Sequence, residues 1–178
     1  MIALIQGMTT TQAENPVGLF KDHADIGHVE HAGSAVYDAV SNTYTLSGAG
    51  ENVWFTKDQF HFAWRRIVGD FIVTTRPVFQ GSGGDPHRKV GWMARTSDDT
   101  GAAMVALTVH GDGLTAFQYR REAGANIQEI KVPVTAPDTI QMERRGRSYF
   151  ASVTKMDNAP WTVELPDFDF PEELMVGL

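Results

Sequence analysis

From residue 36 onward the chain is a succession of short segments rich in Val, Ile, Thr, Phe, Tyr and Trp. "TYTLSG", "FHFAWRRI", "DFIVTTRPVF", "KVGWMART", "AAMVALTVH", "LTAFQYRR", "IQEIKVPV", "TIQMERRG", "SYFASVTK" and "WTVEL" are among them, separated by Gly, Asp, Asn or Pro. β-branched and aromatic residues suit a pleated, half-buried surface, and the separators are the residues of tight turns. That many evenly spaced strands with no convincing helical period imply an all-β sandwich or barrel. Gly69-Asp70 reads as a tight turn between two strands, Gly111-Asp112-Gly113 as a hairpin loop, and Gly48 to Asn52 as a turn flanked by strands. "FQGSGGDPHRK" is the longest glycine-rich polar stretch and the best candidate for a mobile rim.

A length of 178 residues suits one such domain with a real core. No apolar run approaches the roughly 18 residues of a membrane helix, and the net charge of −7 disfavours nonspecific attraction to nucleic acid or anionic lipid. Zero cysteine removes disulfides, thiolate ligands and cysteine nucleophiles together, and leaves the redox compartment open. "MIALIQGMTTTQA" lacks the basic start of a full secretory signal. Residues 1–17 read either as the tail of a signal peptide or as an ordinary terminal segment, with a domain over 18–178. The acidic segment "ELPDFDFPEE" reads as a solvated loop, and "LMVGL" as a strand just beginning where the chain stops.

"GLFKDHADIG", "NVWFTKDQFHFAWRRIVGDFIVTTRP", "KVGWMART", "FQYRR" and "MERRGRSYFASVT" together resemble the bacterial concanavalin A-like (laminin G-like) jelly-roll domains, relatives of the fungal "regulation of enolase" proteins. The run from Asn52 to Pro77 carries most of the likeness, through Trp54, Asp58, Phe60, Phe62, Gly69-Asp70 and Arg76. The resemblance implies a jelly-roll sandwich of two antiparallel sheets over residues 18–178, and it weakly favours a secreted or periplasmic location. Members similar to this chain continue for about two further strands, so it also implies missing C-terminal strands and an open sheet edge that a partner chain or self-association would cover. "TKMDNAPWT" departs from the family's turn before Trp161.

Side chains of a strand alternate between faces. Phe60, Phe62 and Trp64 form one set against His61, Ala63 and Arg65. Val90, Trp92 and Ala94 oppose Lys89, Met93 and Arg95, Val105, Leu107 and Val109 oppose Met104, Thr108 and His110, and Phe117 and Tyr119 oppose Gln118 and Arg120. The apolar sets belong to the core, Trp64 and Trp92 with them. Were these strands neighbours in one sheet, His61, Arg65, Arg76, Lys89, Arg95, His110, Gln118 and Arg120 would line its solvent-facing side. A concave face so lined suits a glycan or small anionic saccharide, since arginine forks onto carboxylates, sulfates and paired hydroxyls. The alternative is that these arginines pair with Asp58, Asp70, Glu129 or Glu143 and fix register.

"DHADIGHVEH" collects metal-ligand residue types, yet it is not a metalloprotease helix motif and alternation would part His28 from His31. No metal ligand set or cofactor is assigned. Jelly rolls commonly hold structural calcium, which keeps Asp22 and Asp25 in view. Asp167 and Asp169 are flanked by Pro166 and Pro171, a poor setting for a glycosidase carboxylate pair, and no nucleophile elbow or phosphate loop is present. No catalytic residue is assigned. The reading is a noncatalytic glycan-binding or accessory module, with a structural or protein-interaction domain as the alternative and a carbohydrate-active hydrolase or lyase as a third.

Overall fold

The computed structural model describes residues 16–178 apart from Ser82 and Asp157, so the signal-peptide reading of the N-terminus lies outside the described residues. The described residues contain fifteen strands and no helix. These are β1 (Asp22–Ile26), β2 (Ser34–Asp38), β3 (Thr43–Ser47), β4 (Val53–Trp54), β5 (Lys57–Asp58), β6 (Phe60–Val68), β7 (Phe71–Thr75) and β8 (Lys89–Arg95). Then follow β9 (Met104–His110), β10 (Thr115–Arg120), β11 (Gln128–Val132), β12 (Thr139–Arg145), β13 (Ser148–Thr154), β14 (Trp161–Leu165) and β15 (Glu173–Gly177). A seven-stranded sheet runs β1-β6-β15-β8-β9-β10-β11 and a four-stranded sheet runs β14-β13-β12-β7, every pairing antiparallel. Two small hairpins, β2-β3 and β4-β5, complete this β-sandwich-like architecture.

The principal core lies between the two large sheets. Ala63, Trp92, Ala94, Val105, Leu107, Phe117, Leu174 and Val176 come from the seven-stranded sheet, and Ile140, Met142, Tyr149, Ala151 and Val153 from the four-stranded one. Alternation assigned Trp92, Ala94, Val105, Leu107 and Phe117 to the core, and there they are. The opposite face of the large sheet is not left to solvent. Ile26, Phe62, Met93, Met104, Ala106 and Met175 form a second cluster roofed by Val53 and Ile127. With apolar packing on both faces, β9 is buried along its whole length. A strand buried on both sides loses the in–out contrast, and that overturns the assignment of Ala63 to a polar face: it is fully buried in the principal core, while Phe62 packs on the other side.

The turn at Gly69-Asp70 is present, with Gly69 at φ 79°, but it carries the chain from one sheet to the other rather than closing a hairpin. Likewise β3 pairs with β2 and β4 with β5, so the loop between β3 and β4 links two separate hairpins. The strand expected at "LMVGL" forms, and its place in the sheet and the burial of the segment before it were not expected. β15 sits inside the large sheet, hydrogen-bonded to β6 on one side and β8 on the other. Phe168, read as part of a solvated loop, is buried with its ring 5.2 Å from that of Tyr149. Toward the other end Val17 bridges to Phe20 and joins the core.

Leu174 is fully buried between the sheets, and trimming it to alanine deletes transfer energy and leaves a cavity. Urea unfolding of Leu174→Ala is expected to show a loss of about 2–5 kcal/mol, against under about 0.5 kcal/mol for Val36→Ala on the exposed face of β2. Equal small effects would mean that β15 does not occupy the sheet interior.

Candidate functional site

Three successive hairpin-linked strands, β8, β9 and β10, preserve side-chain parity from one to the next, and cross-strand rows follow from their register. Lys89 stands opposite His110. Gly91, Thr108, Ala116 and Lys131 form a second row, Met93, Ala106, Gln118 and Glu129 a third, and Arg95, Met104 and Arg120 a fourth. Lys89, Arg95, His110, Gln118 and Arg120 therefore share the face of the sheet that turns away from the principal core. The other three expected members do not join them. His61 and Arg65 project from the opposite face of β6, and Arg76 lies past the end of β7 in the other sheet. Of all these residues Arg65 and Arg76 are exposed, while Arg95, His110, Gln118 and Arg120 are buried.

The face is closed by the β4-β5 hairpin and the loops beside it, and one arginine holds that cover in place. Arg120 Nη1 and Nη2 donate end-on to Asp58 Oδ2 and Oδ1 at 2.9 and 2.8 Å. Its remaining donors reach Ala102 O at 2.9 Å, Phe55 O at 3.1 Å and Ala125 O at 2.8 Å, so all five guanidinium N–H groups are used. Backbone bonds follow the same seam: Asp58 N–H to Thr100 O, Gly124 N–H to Gly101 O, and Ile127 N–H to Phe55 O. Of the two roles open to the arginines, Arg120 takes the pairing role, with Asp58 as partner.

Arg95 lies beside this pair, fully buried, with Nη2 3.5 Å from Asp58 Oδ2 and 2.5 Å from Asp99 O. Burial pulls its guanidinium pKa down to about 10, and Arg120 adds to the decrease while Asp58 opposes it. Asp58 lies against both guanidiniums, and the charges of Asp98 and Asp99 also act on Arg95.

At the other end of the strip Lys89 donates to Asn52 Oδ1 and lies 5.7 Å over the Trp54 ring. Thr108 donates to Gln118 Oε1 at 3.4 Å, and Gln118 Nε2 donates to Glu129 Oε2 at 3.3 Å. Burial, with the nearby Lys89 charge second, holds His110 below its ordinary range, and burial lowers Lys89 as well. Beside this strip the two-residue turn of the β4-β5 hairpin presents Phe55, 69% exposed at φ 51°. A bulky residue at positive φ is a genuine outlier at a place where such hairpins ordinarily use glycine. Its carbonyl, held by Arg120 and by the Ile127 amide, keeps it there.

A polar chain escaped the sequence reading. His23 and Asp25 alternate onto one face of β1, and register sets Asp25 opposite His61. Asp25 Oδ1 lies 2.8 Å from His61 Nδ1, and His61 Nε2 lies 3.1 Å from His23 Nδ1. The Gly33 amide donates to both Asp25 oxygens at 3.1 and 3.0 Å. Burial raises the Asp25 pKa, but the His61 and Gly33 hydrogen bonds outweigh it and leave the carboxyl below its ordinary value. The i, i+2 spacing of His23 and Asp25 was readable, whereas the pairing of β1 with β6 was not. Asp22 and Asp25, held in view for calcium, lie on opposite faces of β1 and do not converge. Among the described residues no three His, Asp or Glu side chains form a metal-binding group. Compared with protein-family models, curated proteins and solved structures, the chain has no significant match to any of them.

Removing one partner of a buried ion pair strands the other, whereas removing a buried cation that stands outside the tight pair, as Arg95 does at 3.5 Å from Asp58 against 2.8 Å for Arg120, also removes the cost of burying it. Asp58→Asn and Arg120→Met are therefore expected to lose about 3–5 kcal/mol in urea unfolding. Arg95→Met is expected to unfold at the wild-type midpoint or above it. Equal losses at Arg95 and Arg120 would contradict the division of roles between them.

Proposed function

We propose that this chain is a noncatalytic binding module of the concanavalin A-like jelly-roll type that takes an extended glycan along a rim running from Phe55, at the Arg120 end of the strip, past Trp54 to Lys89. Phe55 carries the reading. An exposed aromatic ring in a strained backbone conformation, fixed by a buried guanidinium, is a side chain held out for contact. Aromatic faces suit the apolar faces of sugar rings, and a pre-set platform avoids the ordering cost of binding. Lys89, over the Trp54 ring, adds a charged donor for hydroxyls or carboxylates. Arg95, Gln118 and Arg120 act beneath the rim in this reading, as its support.

Val68 and Ile72 favour a second reading as a protein-interaction domain. They are 64% and 62% exposed on either side of the Gly69-Asp70 turn, away from the rim.

The purified chain is to be screened by affinity electrophoresis and calorimetry against neutral, uronate-containing and sulfated polysaccharides, with Phe55→Ala alongside. Saturable binding that weakens at least about tenfold, or about 1.4 kcal/mol, in the variant is expected, with the unfolding midpoint retained or raised by relief of strain. Binding unchanged in Phe55→Ala would remove the rim from the site. No binding by the folded chain to any of these polymers would remove the glycan reading.

A further inference from the structure

We propose that the open edge of the four-stranded sheet pairs with the same edge of a second copy of this chain, β7 lying antiparallel to β7. The two large sheets end on β1, β11, β14 and β7. An edge strand presents unpaired N–H and C=O groups, and charged side chains or proline on it discourage pairing. β1 carries Asp22 and Asp25, β11 carries Glu129 and Lys131, and β14 carries Glu164 between Pro160 and Pro166. β7, Phe71–Thr75, has no charge, proline or glycine and consists of aromatic and β-branched residues, which suit a sheet best. β12 takes one side of it in unbroken register from Phe71 to Thr75, and among the described residues no strand pairs with the other side.

The flanking charges select the occupant and the register. Asp70 stands immediately before the strand and Arg76 immediately after it, both exposed. A two-fold axis at Val73 sets Ile72 opposite Thr74 and Phe71 opposite Thr75. By the same count it sets Asp70 of each copy opposite Arg76 of the other, and a two-fold contact makes that pair twice. The Gly146 amide donates to Asp70 Oδ1 at 2.6 Å and fixes the carboxylate at the strand's end, while Arg76 has no ion pair among the described residues. Directly opposite residues of an antiparallel pair project to the same side. Val73, which packs on the principal core from its edge, thus meets its own copy on the core side, and Ile72, 62% exposed, gains a neighbour on the outer side. The two four-stranded sheets join edge to edge as one continuous sheet. β7 lies in the sheet opposite the rim, and the contact holds whether or not the rim takes a glycan.

Sedimentation equilibrium of the full chain, from micromolar to submillimolar concentration, is expected to show a monomer–dimer equilibrium. Arg76→Glu sets like charges against Asp70 at both ends of the contact and is expected to raise the dimer Kd at least about tenfold. Its unfolding midpoint, measured where both proteins are monomeric, is expected to match the wild type. Hydrogen exchange of the full chain is to be followed over the same concentrations. The β7 amides that do not bond β12 are expected to gain protection as the dimer fills, while those of β11 and β14 do not. A chain monomeric at every concentration would overturn the proposal, as would a dimer that Arg76→Glu leaves unchanged or one that protects another edge instead of β7.

Discussion

Asp58 brings a single negative charge into the interior, and Arg120 answers it with two parallel hydrogen bonds. The geometry is the strong form of the contact, since a planar fork meets a carboxylate and neither has freedom left. What makes the pair matter is where the other three donors go. They end on carbonyls of Phe55, Ala102 and Ala125, which belong to three different loops. None of these loops has regular secondary structure to hold it, and a buried carbonyl without a partner is costly. One side chain therefore fixes the cover of the large sheet, and through the cover it fixes the backbone of Phe55.

That cover changes what the sheet can do. An open sheet face offers its polar residues directly to a ligand, and here a second apolar cluster and a short hairpin lie over it instead. The strip of Lys89, His110, Gln118, Arg95 and Arg120 becomes a gradient. It runs from a saturated ion pair under the loops to a lysine at the rim, in contact with Asn52 and Trp54. The cover leaves the Phe55 ring exposed at the turn of its hairpin.

Much of the sheet was legible because parity survives consecutive hairpins. Val90, Trp92, Ala94, Val105, Leu107 and Phe117 fell into one set and Lys89, Arg95, His110, Gln118 and Arg120 into the other, which holds across β8, β9 and β10, whereas His61 and Arg65, placed with the second set, lie on the other face. Burial of the second set was not legible. Its cover comes from a two-residue pair of strands and from loops, which have no period to detect. Pairings between distant segments were hidden for a related reason. The setting of Glu173–Gly177 between β6 and β8, and of Asp25 opposite His61, depends on register that local pattern does not encode. Arg76 was misplaced because a tight turn looks alike whether it closes a hairpin or crosses between sheets.

Native-state amide hydrogen exchange tests the central role of the Arg120–Asp58 pair most directly. If one ion pair holds the loop cover, the amides of Asp58, Gly124 and Ile127, which bond Thr100, Gly101 and Phe55 across the seam, open as one cooperative unit. All three would then show one opening free energy and lose protection together in Arg120→Met, while β12 and β13 amides keep theirs until global unfolding. Three different opening energies in the wild type, or protection retained at the seam in a folded Arg120→Met, would contradict the account.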